Sequence, residues 1–225
     1  VIEEILPPGV CSADTRGEFP ESLLLPGERH AVRDAVERRR REYTTARVCA
    51  HRALADLGAA PGPVLSGTRG EPLWPLGVVG SLTHCEGYRA AAVGRAGGWL
   101  ALGIDAEPHA ALPDGVEEAV TLPEERVRLR ELSEAEPGIR WDRLLFSAKE
   151  SVYKAWYPLA ARRLDFRDAS LRICPRARTF SARLTPPWAV VGDLTLDVLT
   201  GEWSVRDGLV LTSVALRAPA GPPGP

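Results

Sequence analysis

The stretch "WDRLLFSAKESVYKAWYPL", residues 141–159, sets Trp141, Leu144, Leu145, Ala148, Val152 and Ala155 at helical spacing. One face of the segment is therefore apolar, and the spacing predicts an amphipathic helix that Pro158 ends. The composition sharpens the interest of this helix. Of the 28 basic residues, all are arginine except Lys149 and Lys154, which flank Glu150. Arginine is a planar, permanent charge, whereas lysine is a compact ammonium that can give up a proton. Either property would make lysine hard to replace here; the alternative is coincidence.

Working outward, a second helical region leads into this one from about Pro113 through "LPEERVRLRELSEA". Residues 27–58 hold no proline or glycine between Gly27 and Gly58 and predict one long helix, with Val32, Val36, Tyr43, Val48, Ala50 and Leu54 as an incomplete apolar stripe. Its arginine run, Arg38 to Arg41, reads equally as a solvated face. Between the helical regions, turn residues and short apolar runs predict strands, with "YRAAAVGR" and "WLALGIDAE" as adjacent strands joined by Ala96, Gly97 and Gly98. From residue 168 the pattern predicts several antiparallel strands, with a turn at Arg206, Asp207 and Gly208. Helix, strands, helix, strands reads as an α+β (α/β) chain of two similar halves, residues 1–106 and 107–217, with 218–225 as a disordered tail. No sequence repeat accompanies that division.

A length of 225 residues suffices for a full core, and a net charge of −2 gives no global basic field to draw the chain onto nucleic acid or an anionic membrane. Cys11, Cys49, Cys85 and Cys174 are too widely spaced for a CxxC metal or redox motif and read as reduced thiols. With no secretory signal and no run of about 18 apolar residues, the expectation is a soluble cytoplasmic protein.

The chemistry gathers on acids and phosphate-binding groups. In "LGIDAEPH", Asp105 and Glu107 lie two apart at the end of an apolar strand, so both carboxylates face one side. All-oxygen ligation of that kind suits Mg²⁺, although D-x-E alone is equally an edge-strand acid pair. Glu150 is a third acid, with Lys154 one turn on, either as a surface salt bridge or as a metal ligand or base beside phosphate-binding lysines. "GSLTHCEGY" contributes Ser81, Thr83 and His84 as donors to phosphate oxygens, with Gly80 permitting close backbone approach, and glycine-flanked Arg69 could serve the same ligand.

Taken together, "RRRREYTTARVCAHRALADLG", "GTRGEPLWPLGVVGSLTHCEGYRAAAVG", "LGIDAEPH" and "WDRLLFSAKESVYKAWYPL" resemble the larger, monomeric class of 4′-phosphopantetheinyl transferases, in its actinobacterial and enterobactin-synthase branch. The resemblance spans roughly residues 28–217. It implies a pseudo-twofold monomer with coenzyme A between the halves and Mg²⁺, or alternatively Mn²⁺, on Asp105, Glu107 and Glu150. It implies transfer of phosphopantetheine to a serine of apo acyl, peptidyl or aryl carrier domains of fatty-acid, polyketide, nonribosomal-peptide or siderophore synthesis, releasing 3′,5′-ADP. Arg39, Arg47 and Arg69 are implied around the nucleotide and its 3′-phosphate, and Ser81 and His84 at the phosphates. Glu150 is implied as base, Lys154 as stabiliser of the leaving group, and Lys149 as a plain phosphate contact that arginine could replace. Ser66 and His51 depart from the pattern, where relatives often carry basic residues. Two other readings stay open: another Mg²⁺-dependent nucleotide phosphotransferase or hydrolase, and a non-catalytic coenzyme A or carrier-protein binding module.

Overall fold

The computed structural model describes residues 1–186, 189–191 and 194–219. In chain order the elements are β1 (Val10–Thr15), α1 (Pro26–Ala31), α2 (Glu37–Asp56), β2 (Leu65–Ser66), β3 (Pro72–Leu73), β4 (Val78–Cys85), β5 (Tyr88–Arg95) and β6 (Trp99–Pro108). There follow α3 (Val116–Val120), α4 (Pro123–Ala135), α5 (Trp141–Ala160), β7 (Ala169–Cys174), β8 (Thr179–Leu184), β9 (Ala189–Val191), β10 (Leu194–Leu196), β11 (Val198–Arg206) and β12 (Leu209–Arg217). Two antiparallel sheets organise them: a three-stranded sheet in the order β1-β5-β4, backed by α2, and a five-stranded sheet in the order β6-β12-β11-β8-β7, backed by α5. No described helix is long and apolar enough to cross a membrane. Among the described residues the four cysteines form no disulfide. Residues 220–225, most of the expected tail, lie outside the described residues.

The apolar stripe that defines α5 packs as its spacing predicts: Trp141, Leu144, Leu145, Ala148, Val152 and Ala155 are all buried against Leu171, Leu199, Trp203, Val210 and Val214 of the sheet. Pro158 does not end the helix, which runs two residues further to a left-handed Ala161 at φ 48°. A proline in the last turn removes one N–H and so loosens the end without breaking what precedes it. The single helix expected over 27–58 is broken between α1 and α2. Val32 turns inward onto Leu24 and Tyr43, while Val36, 73% exposed, takes an extended conformation as the residue that opens α2. The turn at Asp207 and Gly208 has positive φ at both residues, 51° and 74°, as a two-residue hairpin loop requires.

The strands read as neighbours, β5 and β6, do not pair. Both edges of β5 are taken, by β1 and β4, so the chain crosses to the other sheet and β6 pairs with β12. On its remaining edge β6 meets β4 through side chains. The Ile104 N–H donates to Ser81 Oγ at 3.1 Å, and the Ala106 N–H donates to Thr83 Oγ1 at 3.0 Å. Two hydroxyls thus stand in for a backbone ladder and join the sheets without fusing them.

Each helical region is opened by the same buried carboxylate. In Leu25-Pro26-Gly27-Glu28, Glu28 accepts from the Leu25 N–H, the Val64 N–H and His51 Nε2. In Leu122-Pro123-Glu124-Glu125, Glu125 accepts from the Leu122 N–H, the Leu171 N–H and Lys149 Nζ. Each acid makes the glutamate half of a capping box, since the leucine N-cap has no acceptor to return it, and also ties a distant strand or loop and a basic side chain of the following long helix. His51, where the resemblance expects arginine, is the side chain of α2 that meets the acid in the first clasp. Burial pushes the Glu28 pKa up, but the bonds from His51, Leu25 and Val64 outweigh it and hold it below 4.5.

Two outcomes follow from this packing. A Cβ on Gly103 of β6 would stand 1.9 Å from the Ser151 carbonyl oxygen of α5. Gly103→Ala is therefore expected to force helix and strand apart and to cost about 1–3 kcal/mol in urea unfolding, the usual range for overpacking. Glu28→Gln is expected to be destabilising at pH 7. Because the folded pKa lies below the ordinary one, the wild-type advantage is complete above about 4.5 and shrinks as the pH falls through the folded value. Unfolding curves for both proteins at pH 7 and in acid check this; a gap that stays constant would contradict it.

Candidate active site

Asp105 lies within the seam, between Ile104 and Ala106, and its carboxylate is buried. Asp105 Oδ1 accepts from Lys154 Nζ at 2.7 Å and from Thr83 Oγ1 at 3.2 Å, while Oδ2 is buried with no partner. Lys154, reaching across from α5, also donates to the Ile104 carbonyl at 3.0 Å, so one of its three N–H bonds remains for a ligand. Glu107, two residues along β6, is held by Arg143 Nη1 at 2.8 Å. The rest of the Arg143 guanidinium donates to the carbonyls of Ala110 and Ala111. Burial raises the Glu107 pKa and the neighbouring Asp105 charge adds to it, against the pull of Arg143. Burial likewise raises Glu150, with Lys154 opposing and Asp105 reinforcing.

These are signs of carboxylates crowded into one another's field. They do not yet share a coordination sphere: among the described residues no group of three or more His, Cys, Asp or Glu side chains is close enough to hold a metal. Arg143 draws Glu107 to one side, and Lys154 occupies one oxygen of Asp105. The donor set is nonetheless the hard-oxygen set that Mg²⁺ takes, and the orphaned Asp105 Oδ2 fits a cation ligand.

Glu150 opens into a cleft of about 330 Å³ lined also by Arg69, Tyr153, Arg163, Asp165 and Phe166. Arg69 comes from the loop between β2 and β3, and its Cζ lies 5.8 Å from the centre of the Tyr157 ring of α5. The cleft is thus walled by segments from both parts of the chain. His84, half-exposed at the end of β4, lies 3.8 Å from Glu42. Partial burial lowers its pKa, as do the charges of Lys154, Arg39 and Arg89, with Glu42 opposing. Arg39 is exposed on α2 within this positive neighbourhood.

Four sequence expectations meet different surroundings. Arg47 is turned inward: it donates to the Val64 carbonyl at 2.6 Å and to Ser66 Oγ at 2.9 Å, and stacks on Tyr43. Ser66 thus serves as the acceptor for Arg47. Ser81 spends its hydroxyl on the seam. A Cβ on Gly80 would stand 2.7 Å from both the Ala92 carbonyl oxygen and the Trp74 ring, so the close approach here is to protein atoms. Lys149 borders the cleft, but its ammonium is taken up by protein partners. It is 1% exposed and donates to Glu125 at 2.7 Å, the Val120 carbonyl at 2.9 Å and the Phe166 carbonyl at 2.8 Å. All three of its N–H bonds are used. Burial lowers its pKa, and Glu125 opposes that.

Sequence reasoning missed Arg143, Glu28 and Glu125. The twin Leu-Pro-x-Glu openings were a signal for the two glutamates; nothing local marked Arg143.

Two family models match the chain: the N-terminal domain of 4′-phosphopantetheinyl transferases over residues 27–94, and the 4′-phosphopantetheinyl transferase superfamily over residues 101–195. Among curated proteins, the chain is 55% identical over 202 residues to the 4′-phosphopantetheinyl transferase Svp of Streptomyces mobaraensis, covering 90% of this chain and 82% of that one. It is 46% identical over 224 residues to Npt of Nocardia iowensis, covering 96% and 99%, and 44% identical over 208 residues to PptT of Mycobacterium tuberculosis, covering 91% of each. Both are likewise 4′-phosphopantetheinyl transferases by name.

The geometry of Lys149 sets a test. Lys149→Met leaves Glu125 buried without its cation and is expected to cost about 3–5 kcal/mol. Lys149→Arg, which the sequence led us to expect to be mild, is expected to be destabilising as well, because a planar fork does not fill a three-acceptor tripod built for an ammonium. Unfolding of either variant at the wild-type denaturant midpoint would remove Lys149 from this structural role.

Proposed function

The chain belongs to the 4′-phosphopantetheinyl transferase superfamily, and from that premise we propose that it moves the 4′-phosphopantetheine of coenzyme A onto a serine hydroxyl of an apo carrier protein. The serine oxygen forms a bond to the β-phosphorus as the bond from that phosphorus to the bridging oxygen breaks, and 3′,5′-ADP leaves. Carrier domains of the acyl, peptidyl and aryl kinds are the partners this chemistry calls for. The observation that carries the reading at residue level is the unpartnered Asp105 Oδ2 beside Lys154 and near Glu150.

Phosphoryl transfer asks the protein mainly for position and charge neutralisation. A Mg²⁺ ion on Asp105, Glu107 and Glu150 would supply Lewis-acid neutralisation of the pyrophosphate when bound. Lys154 is anchored by Asp105 and the Ile104 carbonyl, which leaves its third N–H to donate to the leaving phosphate oxygen. Glu150, with its pKa raised by burial, is the group to take the serine proton, directly or through a water. Arg69 reaches the cleft as a phosphate or nucleotide contact, and Arg39 and Arg89 give a second positive corner beside His84. Coenzyme A would lie between halves divided near residue 106, and the matched carboxylate clasps of Glu28 and Glu125 support reading those halves as a pseudo-twofold pair in a monomer.

Incubation with coenzyme A, Mg²⁺ and a panel of apo carrier proteins, followed by intact mass measurement, is expected to show the gain of one phosphopantetheine on the carrier serine. Bare nucleotide cleavage without that gain would overturn the reading. Asp105→Asn and Glu150→Gln are expected to abolish the gain while the fold survives. Lys154→Arg is expected to reduce kcat by about tenfold or more, roughly 1.4 kcal/mol of barrier, because a guanidinium does not fit between Asp105 and the Ile104 carbonyl. Single-turnover transfer with coenzyme A affinity measured separately checks this, and a wild-type rate would show that charge alone suffices.

A further inference from the structure

Thr83 is buried on β4 with its hydroxyl between two groups of β6. One is the Ala106 N–H, which can only donate, so Thr83 Oγ1 is its acceptor at 3.0 Å. The single hydroxyl proton is then committed elsewhere, and the acceptor within reach is Asp105 Oδ1 at 3.2 Å. That same oxygen takes the Lys154 ammonium at 2.7 Å. Asp105 Oδ1 is therefore held by two donors from two different elements, β4 and α5, while Oδ2 is buried and holds none. A carboxylate fixed through one oxygen cannot rotate the other away. Thr83 is itself β-branched and stiff about χ1, so its aim is not adjustable.

We propose that Thr83 is a positioning residue for Asp105: its hydroxyl locks the carboxylate so that Oδ2 alone is presented to a divalent cation. This rests on the reading of Asp105 as a metal ligand. Ser81 provides the internal comparison. It makes the same seam bond, to the Ile104 N–H at 3.1 Å, but no bond to Asp105. Loss of the Ser81 hydroxyl thus loosens the seam alone, whereas loss of the Thr83 hydroxyl loosens the seam and frees the carboxylate.

The experiment is titration of Mn²⁺ onto the coenzyme A-free protein, followed by the electron paramagnetic resonance of free Mn²⁺, for wild type, Thr83→Val, Thr83→Ser and Ser81→Ala. Thr83→Val is expected to weaken Mn²⁺ binding by roughly 10–100-fold, the usual effect of removing a hydrogen-bond partner of a metal ligand. It is expected to raise the Mg²⁺ concentration for half-maximal transfer by a similar factor while coenzyme A affinity in EDTA is unchanged. Thr83→Ser, which keeps the hydroxyl, is expected to restore Mn²⁺ binding, and Ser81→Ala to leave it unaltered. Wild-type Mn²⁺ affinity in folded Thr83→Val overturns the proposal, as does an equal loss in Ser81→Ala. Should Thr83→Val fail to fold, Thr83→Cys, a weak donor of similar size to serine, takes its place, and wild-type affinity there overturns the proposal equally. A wild type that transfers phosphopantetheine but binds no Mn²⁺ overturns the metal reading itself, and the proposal with it.

Discussion

Two hydroxyls, those of Ser81 and Thr83, take the N–H groups of Ile104 and Ala106 where a strand ladder would otherwise run. Everything in the site depends on that substitution. A continuous ladder between β4 and β6 would merge the sheets and close the edge at which Asp105 emerges. No contact at all would leave the edge amides of β6 buried and unsatisfied, at a cost of about 1–3 kcal/mol each. Side-chain acceptors satisfy the amides while holding the strands at side-chain distance. Lys154 of α5 then reaches both the Ile104 carbonyl and the Asp105 carboxylate of β6.

The two lysines of the chain answer different demands with the same chemical group. Lys149 closes a buried tripod whose carboxylate, Glu125, also caps α4 and ties β7, so it sets where α5 lies. Lys154, just over one turn on, spends two N–H bonds on β6 and keeps one for the cleft. Both places ask for a small tetrahedral donor near several oxygens, which the broad planar guanidinium does not provide. In the first clasp, the less demanding geometry around Glu28 is met by a histidine, with a single ring nitrogen donating to the acid.

Charge placement at the site is economical in the same way. Asp105, Glu107 and Glu150 each have one basic neighbour that limits their freedom: Lys154 for Asp105, Arg143 for Glu107, and the field of Lys154 for Glu150. Burial first, and the charge of Asp105 after it, raises the pKa values of Glu107 and Glu150. A hard dication would offset the charge gathered there, and phosphates would bring the counter-charge for Lys154, Arg69 and the positive corner around His84. A site arranged so is suited to a substrate that arrives with its own anionic groups.

What the sequence by itself determined is everything carried at short spacing. The apolar stripe of α5, the Asp105–Glu107 pair on one side of a strand, the hairpin at Asp207 and Gly208, and the acid and lysine one turn apart at Glu150 and Lys154 are all set by periods of two and about four residues. Those patterns, with the motifs that surround them, also sufficed to identify the family. Only the tertiary structure decided which of these groups keep a donor free for a ligand. Lys149 and Arg47 carry the same charge as Lys154 and Arg69, yet they are turned inward by Glu125 and by the Val64 carbonyl, partners that are 24 and 17 residues away. The parting of β5 from β6 was equally hidden, because β1, far upstream, already holds the edge that a hairpin would have used. Pairings of that kind depend on which distant edge or carboxylate arrives, and a chain read a few residues at a time carries no local trace of it.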